Sequence, residues 1–288
     1  MTLVANLRSS SPAPASLPRT LSGWAARFDP AALPVLEATT LSVEELRPLE
    51  EEVDAHQLAE TLAGDPLMTL RIMSHVARLR AGRGGGEPET LTAALVMLGI
   101  PPFFRASSGL KSVEARLVGQ PEVLRGFQEV LRRSHRAARF AIGFAVHRMD
   151  HDATVLHEAA LLHDFAELLL WLEAPAAALT ILRRQTQDPA LRSAAVQREV
   201  LGVELSELQH HLMLAWRLPA LWTEITDDHA LRETPQVANV RLAIRVARHS
   251  ASGWENAALP DDFADIGALL QLSPLHAERL VREIDLGS

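Results

Sequence analysis

The chain has 288 residues, of which 48% are hydrophobic, 22% charged and 5% aromatic, the profile of a globular protein of one large or two small domains with a sizeable core. Twenty-eight basic residues against 36 acidic ones give a formal net charge of -8, so the molecule as a whole repels nucleic acid and anionic membranes. The absence of cysteine excludes disulfides, thiolate zinc sites, iron-sulfur clusters and cysteine nucleophiles.

Met1 to Leu7 hold too short an apolar stretch for a signal-peptide core, and Asp164, Glu167 and Glu173 interrupt the most apolar segment of the chain. A cytoplasmic protein with no membrane partner is therefore expected. Ser9 to Pro18 read SSSPAPASLP, a linker composition, so residues 1–22 are expected to form a disordered leader outside the fold. Beyond it nearly every segment has helical periodicity and none alternates as a strand, which makes the fold class all-α. Asp54 and Asp65-Pro66 each cap a helix, with Gly64 between the two. The stretch from Ala81 to Glu89, with four glycines and a proline, reads as a loop. It carries no lysine followed by serine or threonine and no preceding strand, so it is not a phosphate-binding loop. Thr90 opens a helix that stops at Gly99, and Pro101-Pro102 opens the next. A long amphipathic pattern runs from Pro121 to Met149, and the most apolar helix follows, from Asp152 to Leu172. Further helices are predicted from Pro175 to Gln187, Pro189 to Leu201, Glu204 to Trp216, Pro219 to Asp227, Pro235 to Ser252, Asp261 to Gln271 and Ser273 to Ile284.

The buried helix carries His163-Asp164, with His157 before it and Glu167 after it. Buried histidine beside buried aspartate is costly unless partnered, and taken alone the pair reads as a core histidine bonded to a carbonyl or carboxylate. Its surroundings change that reading. Ala159-Ala160-Leu161-Leu162-His163-Asp164-Phe165-Ala166 resembles the signature of the HD phosphohydrolases, in which a histidine-aspartate dyad holds divalent metal. The chain from about residue 28 resembles the HDOD domains, the HD-related output domains of bacterial signalling proteins. The resemblance rests on ordered blocks: Leu33-Pro34 with Asp65-Pro66-Leu67; Leu91 to Gly99; the helix from Ser134 through Ala145; the dyad; and Glu199 to Gly202, followed by Trp216 to Pro219 and His229.

The resemblance implies an HD-like multi-helix bundle of two packed helical subdomains, about 24–120 and 121–230, with the helices of 231–288 packed on the second. A groove is expected between the subdomains, near Arg133, His163, Asp164, Glu167 and His229. Aligned by Ser134, Arg133 stands where the hydrolases have their first histidine, and His135 lies about 200° further around the helix. Glu204-Leu205 replace a downstream Asp-His, the segment from Pro235 to Ser252 has no acidic residue, and Ala166 and Glu167 replace the hydrolases' glycine and lysine. His163, Asp164 and His229 remain of the ligand set, too few to hold a divalent metal well beside an arginine. Asp164 is then expected to accept from Arg133 or His163 as a buried link between two helices.

The expected role is a non-enzymatic regulatory module of bacterial signalling with no cofactor. Such a module would act on signalling proteins in trans and bind a small-molecule or nucleotide ligand. The alternative is a phosphohydrolase or phosphodiesterase using manganese or iron on His163 and Asp164, completed by Glu158, Asp228 or His229. A third reading places nucleic acid on the arginines 132, 133, 136, 139 and 148; against it stands a solvated face balanced by Glu114, Glu122 and Glu129. Trp171, Trp216, Trp222 and Trp254 are read as core residues on apolar helical faces.

Overall fold

The computed structural model describes residues 17–81, 87–188, 191–227 and 234–287. Its helices are α1 (Leu21–Ala25), α2 (Glu37–Leu46), α3 (Ala55–Leu62), α4 (Pro66–Arg80), α5 (Leu91–Leu98), α6 (Ile100–Ala106), α7 (Val113–Arg116), α8 (Pro121–Arg148), α9 (Ala153–Leu162), α10 (Phe165–Glu173), α11 (Pro175–Gln187), α12 (Ser193–Leu201), α13 (Leu205–Ala215), α14 (Ala220–Ile225), α15 (Pro235–His249), α16 (Leu259–Leu270) and α17 (Pro274–Leu286). Among the described residues the only extended pairing is a parallel bridge between Val35 and Ser112, so the fold is all-α. No single described helix is long and apolar enough to cross a membrane.

The helix starts follow from side-chain capping. Asp54 accepts from the His56 and Gln57 amides, Asp65 from Leu67 and Met68, Thr90 from Ala93, Thr234 from Val237 and Ser273 from His276. Each such cap contributes about 1 kcal/mol. Asp65 does more, since its second carboxylate oxygen takes the Leu36 amide at 2.7 Å and fixes the entry to α2.

α8 is the spine, 28 residues and about 42 Å long. Val123, Phe127, Val130, Ser134, Ala137, Phe140 and Phe144 recur three and four apart and are buried. Ala137, Ala138, Ala141 and Ala145 let α9 and α15 approach closely. The ring tip of Trp171 lies against Gly126, where an added Cβ would stand 2.2 Å from Cη2. The first seven helices are tied to this layer by polar bonds. Glu158 of α9 accepts from the Leu91 amide at the start of α5, His135 of α8 meets the Gly64 carbonyl at 2.6 Å, and Arg116 reaches the Leu172 carbonyl and Glu173. On the other side α15 holds α16 through Asp262, fully buried between Arg245 and His249. Arg136 of α8 ties α17 through Asp285 and α15 through Ser250.

Two expectations are corrected. The leader does not stay outside the fold as far as residue 22. Thr20 caps α1, Arg19 donates to the Glu199 and Val200 carbonyls, and the buried Trp24 donates to the Leu201 carbonyl at 3.1 Å. Gly202 accommodates this docking, because at φ +81° a Cβ there would lie 2.6 Å from the Arg19 carbonyl oxygen. Residues 1–16, like the glycines 82 and 84–86, lie outside the described residues. The second correction concerns the tryptophans: Trp171, Trp216 and Trp222 are buried on helices or their ends, but Trp254 sits in the α15–α16 connection under the guanidiniums of Arg136 and Arg282.

Two outcomes follow from this packing. Gly126→Ala is expected to cost about 1–3 kcal/mol by overpacking Trp171, read as a lowered thermal midpoint. For Glu158, burial pushes the carboxyl up to about 8, partly offset by the Leu91 amide. It therefore keeps its proton in the fold where the unfolded chain has lost it, and stability falls as pH rises from about 4.5 to 8, by at most ~1.4 kcal/mol per unit. Glu158→Gln keeps an acceptor for Leu91 and is expected to remove that slope in denaturant melts between these pH values.

Candidate functional site

The segment with the dyad is not one continuous helix from Asp152 to Leu172. A turn at His163-Asp164 separates α9 from α10, with Asp164 at φ -108°, ψ 21°. The Ala166 amide, left without a helical acceptor, donates to Gln209 Oε1 at 3.4 Å. Sequence periodicity hides this break because the residues on both sides are apolar all round. The break releases Asp164 from a helical wall, so its carboxylate faces two other helices at once.

Asp164 Oδ2 accepts from Arg133 Nε of α8 at 2.9 Å, and Oδ1 accepts from Arg248 Nη2 of α15 at 2.6 Å. His163 Nδ1 stands 3.2 Å from Oδ1. Arg133 also reaches Glu167 of α10 at 2.6 Å. Burial by itself raises the Asp164 pKa, but the charges of Arg248 and Arg133 and the bond to His163 outweigh it and hold the carboxyl well below its usual range. Burial likewise opposes the charge on Arg133, and Glu167 and Asp164 reverse that and keep the guanidinium protonated. The result is a compensated quartet of two cations and two anions.

The quartet lines a cleft of about 520 Å³, whose other walls come from α10, α11, α12, α13 and the end of α15. Among the described residues, every one that lines it lies between 133 and 251. The groove is therefore enclosed within the second set of helices and not, as expected, between two subdomains. Arg133, His163, Asp164 and Glu167 do come together there. His229 and Asp228 lie outside the described residues. Glu158 points elsewhere, to the Leu91 amide, and His135 faces Gly64, as its angle on α8 predicts. Among the described residues no three histidine, aspartate or glutamate side chains are grouped to hold a metal ion.

Sequence reasoning missed Arg248. The arginines at 241, 245 and 248, spaced four and three apart, mark one side of a helix, but nothing in their spacing says that Arg248 meets Asp164. The reading of a basic stripe on α8 changes too. Arg136 and Arg133 are largely buried and paired with Asp285 and with Asp164 and Glu167; Arg148 pairs with Asp150, and only Arg132 pairs with Glu129. Glu114 caps the Glu37 amide and Glu122 pairs with Arg183, so neither balances the stripe.

With this geometry in place the kinship is specific. The HDOD domain family matches residues 33–231, and the chain belongs to that family. The fold is similar to the MmoQ response regulator from Methylococcus capsulatus str. Bath, with a TM-score of 0.68 and 21% identity over 87% of this chain and 98% of that one. It is also similar to a virulence factor from Campylobacter jejuni subsp. jejuni, with a TM-score of 0.60 and 18% identity over 91% of this chain and 96% of that one. Comparison with curated proteins gives no match.

Because the Asp164 carboxyl is depressed in the fold, its stabilisation is complete above the unfolded value and is lost as pH falls below about 4. Asp164→Asn is expected to cost roughly 3 kcal/mol at neutral pH, by leaving Arg248 without a carboxylate and Arg133 with Glu167 alone, and to flatten the acid limb of the stability profile in chemical denaturation.

Proposed function

We propose that this chain is a regulatory module of bacterial signalling that performs no hydrolysis of its own and acts on partner proteins in trans. The observation that carries the reading is the pairing of both Asp164 oxygens with guanidinium groups. In a metal-dependent phosphohydrolase that carboxylate would serve a divalent cation that activates water. Here Arg133 and Arg248 occupy its lone pairs and set two positive charges where the metal would need negative ones, so the residues present do not fit the metal that the HD superfamily uses. The likeness in fold to a protein described as a response regulator agrees with this reading.

The reading is tested by elemental analysis of untagged protein expressed with added manganese and iron and purified without chelator. Metal well below one per chain is expected, with no turnover of a simple phosphodiester such as bis(p-nitrophenyl) phosphate. Arg133→His with Glu167→Lys is expected to leave turnover at background, since Arg248 still holds Asp164. Stoichiometric metal that is lost in Asp164→Asn, or turnover in either protein, would reverse the assignment in favour of the hydrolase.

A further inference from the structure

We infer that the cleft beside Asp164 receives a small organic monocarboxylate carrying an apolar body, an aryl or medium-chain alkanoate in chemical class. This rests on the regulatory reading above and assigns that module its effector. The cleft, at about 520 Å³, has the size of small-molecule sites, and its lining combines apolar with polar side chains. The apolar part of the lining comes from Ala178, Ile181 and Leu182 of α11, beside Gln185, and from Leu170 and Trp171 of α10. Leu182 is 44% exposed although it lines this cleft, so an apolar wall stands open.

The part of the lining around Arg248 and Gln209 has spare hydrogen-bond donors. Arg248 spends only Nη2 on Asp164 and its side chain is 45% exposed. Gln209 has its oxygen occupied by the Ala166 amide, which leaves its amide nitrogen to donate. A ligand complementary to this part of the lining brings acceptors and no donors, and a carboxylate does so in the planar geometry that a guanidinium matches.

Charge decides between anions. Arg133 and Arg248 are balanced by Asp164 and Glu167, while Glu204 is paired with Arg198. The cleft therefore has no net positive charge to hold a phosphate dianion, which would stand against Glu167 and Asp164. A single negative charge on the open side of Arg248 meets less of that repulsion than a dianion does.

The test is calorimetric titration of the full chain with 4-phenylbutyrate and octanoate, beside 1-octanol, AMP and inorganic phosphate. The two carboxylates are expected to bind saturably, at least about tenfold more tightly than octanol, AMP or phosphate. Arg248→Gln and, separately, Leu182→Glu are each expected to weaken them about tenfold or more while the thermal midpoint shows a folded protein. Leu182 is largely solvent-exposed, so its variant folds even if the Arg248 variant does not. No saturable binding up to about 10 mM, tighter binding of AMP or phosphate, or carboxylate binding that Leu182→Glu leaves unchanged would each overturn the inference. Failure here without metal or turnover leaves the regulatory reading standing, whereas bound metal with turnover removes both.

Discussion

Asp164 is a carboxylate taken almost wholly out of water, a transfer that costs several kcal/mol unless opposite charge meets it. The chain meets it twice, with Arg133 from α8 and Arg248 from α15, while His163 lies against the same oxygen as Arg248. Because each guanidinium is carried by a different helix, the charge requirement becomes a geometric one. α8, the α9–α10 turn and α15 must converge at one point, and the cleft exists because α10 to α13 curve around that point. Glu167 completes the arrangement by occupying the side of Arg133 that Asp164 leaves free. Removing Asp164 would leave Arg248 without a counter-charge and Arg133 with Glu167 alone.

The same charge balance sets what chemistry is open to the site. A water-activating metal centre concentrates uncompensated positive charge at a place that solvent or substrate can reach. In the quartet the cations and anions cancel, and Arg133, the more buried cation, has both neighbours anionic. What remains available to a visitor is donor capacity at Arg248 and apolar surface along α11. The proposed regulatory role draws on that inventory.

Local rules made most of the fold legible in the sequence. The caps at Asp54, Asp65, Thr90 and Ser273, the stop at Gly99 and the long face of α8 all stand where periodicity and turn chemistry place them. The encounter of Arg133 with Asp164 was legible too, because a polar residue on a buried helix needs a partner and the family pattern showed which helix faced it. The contribution of Arg248 was not, since it depends on the angle at which α15 crosses α8, a quantity no local pattern encodes. Nor was the turn at His163-Asp164, where hydrophobicity is uniform and the interruption is stabilised by Gln209 from a distant helix. The inner position of Arg136 was hidden for a similar reason, as its partners Ser250 and Asp285 follow it by more than a hundred residues.

The last of these contacts bears on where this unit ends. The family's likeness stops at residue 231, yet the second cation on Asp164 comes from residue 248, and the helix that carries it is held by Ser250 to Arg136 and through Arg136 to Asp285 near the end of α17. A fragment cut at the edge of the likeness would leave Asp164 with half its counter-charge and expose the apolar flank of α8. Sequence kinship and electrostatic closure thus draw different borders on one chain, and the second border encloses the last three helices.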